Sequence, residues 1–218
     1  EHGFTAPGQF LNLKIDGLYL RRPISICDCD KDSVDILYKV IGKGTEALSK
    51  MAAGDEISAL MPLGNGFDTH RCGQKPLLIG GGVGTPPLYR LAKALITQGK
   101  NPLAVLGFNS AQDVMLVKEF EALGVQVYVT TVDGTMGQKG FVTDAICALS
   151  GYTDYCACGP EPMLKAVFAA CPTGGQLSFE ARMACGFGAC MGCSCETKSG
   201  SKRICKDGPV LLKEDLLW

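Results

Sequence analysis

Three cysteines crowd a glycine-rich stretch near the C-terminus, in the run Cys185-Gly-Phe-Gly-Ala-Cys190-Met-Gly-Cys193, and a fourth follows in Arg203-Ile204-Cys205. No other part of the 218-residue chain restricts what it can fold around so tightly. The pattern is the C-x4-C-x2-C…C spacing of a plant-type [2Fe–2S] centre. Two irons bridged by sulfides need four thiolates, and soft thiolate ligands suit iron–sulfur sites better than carboxylates do. Gly186, Gly188 and Gly192 allow a tight turn whose N–H groups can face the sulfurs. Cys195, two residues past Cys193, is left outside the ligand set.

Two other uses of cysteine compete. Zinc sites favour short C-x2–4-C pairs separated by a longer spacer, whereas here three cysteines cluster and the fourth stands apart. Disulfide frameworks belong mainly to small secreted chains, and this one is larger and rich in alternating strand and helix patterns. The chain has 12 cysteines, and the eight outside the proposed set read mostly as small buried hydrophobes in a reducing cytosol. A net charge of −1 provides no broad positive field, so nucleic acid is not expected as a partner. Neither a membrane span nor a signal peptide is visible, and a cytoplasmic location is expected.

Residues 9–15, 34–41 and 55–60 read as strands, and 45–51 as a short helix, which together suggest part of a small antiparallel barrel. From Pro76 the pattern changes. A buried strand at 77–80 precedes a helix with Leu88, Leu91, Ala92, Leu95 and Ile96 on one face, closed by Gly99. Strands at 103–108, 125–130 and 155–157 then alternate with helices at 117–123, 141–149 and 161–170. That alternation predicts a parallel, Rossmann-like sheet with right-handed crossovers. The expected fold class is α/β plus β. It comprises a partial antiparallel β-barrel (1–70), a nucleotide-binding α/β domain (71–172) and a small C-terminal [2Fe–2S] domain (173–218).

A glycine turn, Gly80-Gly81-Gly82-Val-Gly84-Thr-Pro-Pro87, joins the first parallel strand to its helix. Such a turn lets the backbone approach a pyrophosphate at the helix N-terminus, although glycine-rich turns also occur for packing alone. Cys158-Gly159-Pro160 follows the last strand of the alternating series. It reads either as a sharp turn or as a place where Cys158 positions a nicotinamide ring. Asp133 is equally a ribose contact favouring NAD over NADP or a plain Asp-Gly turn residue. His2 and His70 are the only histidines and sit in no motif, and no catalytic triad or metal-hydrolase pattern is present.

Arg22-Pro-Ile-Ser25, Gly42-Lys-Gly44-Thr45, Gly64-Asn-Gly66-Phe67, the glycine turn and Cys158-Gly-Pro together resemble the ferredoxin reductase superfamily. With the cysteine loop and Cys205-Lys-Asp-Gly208-Pro209-Val210, the match narrows to the electron-transfer subunits of dihydroorotate dehydrogenase B. The resemblance covers nearly the whole chain. It implies FAD contacts at Arg22, Pro23, Ile24 and Ser25, at Leu37, Tyr38 and Lys39, and at Gly44 and Thr45. It also implies NAD at Gly80, Gly81, Gly82, Gly84, Asp133, Gly159 and Pro160, and the cluster on Cys185, Cys190, Cys193 and Cys205. Members of that family carry two further barrel strands ahead of the segment matching Ala6–Phe10, so an open barrel edge is expected here.

These cofactors make a sensible relay. A nicotinamide exchanges two electrons as hydride, a [2Fe–2S] centre passes one, and a flavin does both; the protein binds and orients them. The resemblance further implies a separate FMN-containing, dihydroorotate-oxidising catalytic subunit, joined in a heterotetramer, with electrons leaving to NAD+. Two rival readings stay open. One is a flavin and iron–sulfur subunit of a ferredoxin:NADP or sulfide-linked oxidoreductase. The other is a cluster module that only senses redox state and binds no flavin.

Overall fold

The computed structural model describes residues 2–218. The N-terminal segment forms strands β1 (Phe10–Leu13), β2 (Arg22–Cys29) and β3 (Val34–Ile36), helix α1 (Lys43–Ser49) and strand β4 (Ala59–Leu63). They pair antiparallel in the order β3-β2-β1-β4. All four residues of β1 are buried, because both faces of the strand are covered. Leu11 and Leu13 join the barrel core with Ile24 and Ile26, while Phe10 packs into a second core that includes Cys193 and Cys205. This strand therefore joins the barrel to the cysteine segment.

Three local expectations need correction. Residues 22–29 form the longest barrel strand, although they read as a motif rather than a strand. The strand expected over 34–41 ends at Ile36, and that expected over 55–60 lies at Ala59–Leu63. Residues 37–39 leave the sheet, and Lys39 reaches across to an ion pair with Asp113 at 2.9 Å.

The rest is an α/β layer. Strands β5 (Leu77–Gly81), β6 (Leu103–Phe108), β7 (Gln126–Thr131), β8 (Gln138–Lys139), β9 (Tyr155–Cys158) and β10 (Gly175–Ser178) run parallel. Helices α2 (Thr85–Thr97), α3 (Val117–Ala122), α4 (Val142–Ile146) and α5 (Glu161–Ala170) connect them. A hairpin of β11 (Ser194–Thr197) and β12 (Gly200–Arg203) follows, and β13 (Val210–Leu212) then returns antiparallel to β10. The sheet order is β13-β10-β9-β5-β6-β7-β8. Residues 175–178 and 210–212 thus extend the nucleotide sheet beyond residue 172, and the cysteine loop is an insertion between two of its strands.

Helix α2 buries Leu88, Leu91, Ala92 and Leu95 of the stripe read from the sequence, and Ile96 at its end is half-buried. Its opposite flank holds the barrel: Lys93 pairs with Asp28 of β2, and the Arg90 guanidinium donates to the Ala6 carbonyl at 3.4 Å. The cysteines outside the loop are mostly buried or half-buried, but Cys147 is exposed at the end of α4.

Candidate functional site

The cysteine loop turns at Gly186 (φ +80°) and Gly188 (φ +93°), where side chains are disfavoured. Space is also short. A Cβ on Gly186 would lie 2.4 Å from Nδ2 of Asn12, and one on Gly188 would lie 2.6 Å from the Lys206 side chain. Folded this way, the loop gathers its thiols in pairs. Burial raises the Cys185 pKa, but N–H groups of Phe187 and Cys190, the Cys190 thiol and the Ala189 N–H outweigh it, bringing the thiol down to about 6. Cys193 accepts from the Cys205 N–H at 3.4 Å. Burial first, then the Cys193 thiol, pushes Cys205 up to about 12. Four thiols in two adjacent pairs, with backbone N–H groups aimed at sulfur, suit a [2Fe–2S] centre, whose irons each take two thiolates. Cys195 instead lies half-buried on β11, in register with Lys202.

The second set lies on β2 and α1. Arg22, Pro23, Ile24 and Ser25 pair with Leu13, Asn12, Leu11 and Phe10 of β1. The Arg22 guanidinium crosses the start of α1 so closely that a Cβ on Gly44 would lie 2.2 Å from its Nε. Guanidinium and helix N-terminus thus meet, an arrangement that suits a diphosphate. The Thr45 hydroxyl accepts from the Ile41 and Gly42 N–H groups at 3.0 and 3.3 Å and shapes this turn. Leu37 is exposed, Tyr38 packs against the barrel core, and Lys39 points to the nucleotide domain.

The third element is a cavity of about 580 Å³ beyond the carboxyl ends of β5, β6, β7 and β9. Connections leave the adjacent strands β5 and β9 to opposite sides, so this is the topological switch point where such sheets bind ligands. Gly81, Gly82 and Pro160 line it, as does Lys39 from the barrel side. Gly80, Gly84, Cys158, Gly159 and Asp133 are not among its lining residues. Gly84 serves close packing: a Cβ there would lie 2.2 Å from the Cys158 carbonyl oxygen. Gly84→Ala is therefore expected to cost about 1–3 kcal/mol, measured by thermal unfolding. Cys158 is buried at the end of β9, and its thiol is raised to about 12 chiefly by burial. The Asp133 carboxylate accepts from the Thr135 hydroxyl at 2.6 Å and N–H at 3.0 Å, the geometry of a turn residue.

Two residues stand out that no sequence signal marked. Asn12, 1% exposed, donates from Nδ2 to the Cys185 carbonyl at 3.3 Å, tying β1 to the loop. Glu180 lines both the cavity and a smaller cleft beside Cys193, and burial raises its carboxyl pKa. A carboxyl group in a motif-free stretch acquires such a position only through tertiary packing.

Comparison with known proteins covers both halves of this arrangement. The iron–sulfur cluster binding domain of dihydroorotate dehydrogenase B matches residues 180–217, and the oxidoreductase NAD-binding domain matches 78–168. A solved NADH-dependent reduced ferredoxin-NADP oxidoreductase superposes with a TM-score of 0.89 at 32% identity, over 100% of this chain and 81% of that one. The Amycolatopsis cytochrome P450 reductase superposes at 0.67 and 25% identity, over 78% and 57% of the two chains. Among curated relatives, the dihydroorotate dehydrogenase B (NAD(+)) electron transfer subunit of Fusobacterium nucleatum is 45% identical, covering 96% of this chain and 86% of its own. That of Bacillus velezensis is also 45% identical, covering 97% and 87%. With the cysteine loop, the barrel strands and the nucleotide sheet all inside these alignments, the chain belongs to the electron-transfer subunits of NAD+-dependent dihydroorotate dehydrogenase B.

Proposed function

We propose that the chain links a dihydroorotate-oxidising, FMN-containing partner subunit to NAD+. Cys185, Cys190, Cys193 and Cys205 hold the [2Fe–2S] cluster. Arg22–Ser25, Leu37–Lys39, Gly44 and Thr45 hold FAD, and the cavity over β5 and β9 receives the nicotinamide nucleotide. When bound, the cluster exchanges single electrons, FAD exchanges one or two, and NAD+ takes up a hydride. The remaining chemistry is positioning. Arg22 and the start of α1 neutralise the diphosphate, Gly81 and Gly82 admit a second one, and the loop N–H groups stabilise thiolate charge.

One observation carries this reading: β1 contacts the cysteine loop on one side and pairs with β2, the strand of the flavin motif, on the other. Asn12 of β1 bonds the loop, and its register partner Pro23 lies in the flavin motif of β2. Lys39, two residues beyond Leu37, lines the cavity. These contacts support a flavin on β2 that exchanges electrons with both the cluster and the nicotinamide.

Exposed Phe187 and Met191, each 54% accessible, flank the exposed Cys190. Single-electron transfer requires close approach, so this face is the docking surface for the catalytic subunit. Phe187→Glu with Met191→Glu buries charge in that contact and is expected to weaken association by about 2–4 kcal/mol. On size-exclusion chromatography the subunits should separate. The complex is a heterotetramer of two catalytic and two electron-transfer subunits, and it works in the cytoplasm. Among the described residues, no helix is long and apolar enough to cross a membrane. The whole reading is tested by mixing the loaded chain with the catalytic subunit. Dihydroorotate should reduce NAD+ only when both are present, and NAD+ reduction that does not require this chain refutes the assignment.

A further inference from the structure

A second group of sulfur donors lies apart from the loop and the cavity. Cys72 follows the short 3-10 turn Thr69–Arg71, and Cys156 sits in β9. The two are 5% and 0% exposed, and their sulfurs are 3.7 Å apart. A carboxylate oxygen of half-exposed Asp154 joins them, and the three donor atoms lie within 4.8 Å of one another. Tetrahedral zinc with Zn–S of about 2.3 Å needs sulfurs about 3.8 Å apart, the edge of that tetrahedron. The thiols already stand at that spacing.

The surroundings resemble an outer ligand shell. Gln176 of β10 directs Nε2 at both sulfurs, 3.6 Å from Cys72 and 4.0 Å from Cys156. Its amide is fixed by Asp68, donating to that carbonyl at 2.9 Å and accepting that N–H at 2.8 Å. Asp154 Oδ1 accepts from the Gly73 N–H at 2.7 Å and the Thr153 hydroxyl at 2.6 Å. Partners of this kind orient ligands and hold charge on them. Lys100, whose ammonium donates to the Cys72 carbonyl at 2.6 Å, supplies a nearby positive charge. It offsets the excess negative charge that two thiolates and a carboxylate would carry around a divalent ion.

We infer that Cys72, Cys156 and Asp154 form a three-donor site for a thiophilic divalent cation of the zinc class. Water on the half-exposed Asp154 side completes the tetrahedron. Binding releases the two thiol protons to solvent, with no change of oxidation state. The ion would fasten the linker before β5 to the middle of the nucleotide sheet.

The test uses the full chain with cluster and flavin assembled, so that the four loop cysteines are occupied. Zinc is added, loosely held metal is removed with a weak chelator, and zinc and iron per chain are counted by native mass spectrometry. One zinc should remain beside an unchanged pair of irons. Cys72→Ala and Cys156→Ser should each weaken retention by more than the roughly 10–100-fold lost with outer-shell partners. Asp154→Asn, at a half-exposed position where folding is safer, should weaken it by about tenfold or more. The site is refuted if native protein retains no zinc, or if the three variants retain as much as native protein. A metal-free chain lighter by two hydrogen atoms, with the loss mapped by peptide digestion to a Cys72–Cys156 disulfide, refutes it equally.

Discussion

Cys190→Ser is expected to abolish the cluster's electron paramagnetic resonance signal in the reduced protein, and Cys205→Ser to do the same. Each change replaces a soft thiolate by a poor hydroxyl ligand in one of the two sulfur pairs. Removing even an outer-shell partner costs roughly 10–100-fold in metal affinity, so loss of a direct ligand should cost more. Electron transfer from the catalytic subunit to NAD+ should fall to background in both variants. Cys195→Ser should keep signal and transfer, because Cys195 sits on β11 opposite Lys202, outside both pairs. Loss of the signal in that variant would overturn the ligand assignment.

Arg22→Ala should release FAD. The guanidinium packs against Gly44 at the start of α1. Charge-assisted hydrogen bonds are worth about 1.5–3 kcal/mol, so affinity should drop roughly tenfold to a hundredfold. Gly44→Val should act in the same direction, since its side chain would occupy the space that Arg22 fills. Flavin per chain after gel filtration reads both effects. Unchanged flavin content in both variants would remove Arg22 and Gly44 from the site.

What the sequence revealed, and what it hid, follows from how local each signal is. The α2 stripe was legible because one helix face meets one sheet, so a 3.6-residue period survives folding. The cysteine loop was legible because cluster chemistry fixes its spacing. Strand β2 was hidden by Pro23. Only β1 pairs with that end of the strand, since β3 begins its pairing at Ile26, so the missing N–H leaves no ladder bond broken on the other side. Alternation along 9–15 placed Asn12 on a polar face. The cysteine loop, more than 170 positions away, covers that face and buries it. Asp133 looked equally like a ribose contact or a turn residue, and its bonds to Thr135 are those of the turn. Glu180 had no local signal, because its burial arises from β10 and the loop packing together.

Leu60 and Met61 of the edge strand β4 are exposed. Strand β2, the proposed flavin strand, is held by β1 and by Lys93 of α2, which pairs with Asp28. A distortion of β1 would therefore affect the flavin and the cysteine loop together.

Anaerobic mixing with NADH, performed on flavin-loaded and flavin-depleted protein and followed at the cluster's visible absorbance, probes the relay most directly. Flavin bound along β2 should be obligatory: the cluster should bleach in the loaded protein and stay oxidised in the depleted one. Equal bleaching without flavin, or none with it, would contradict the relay.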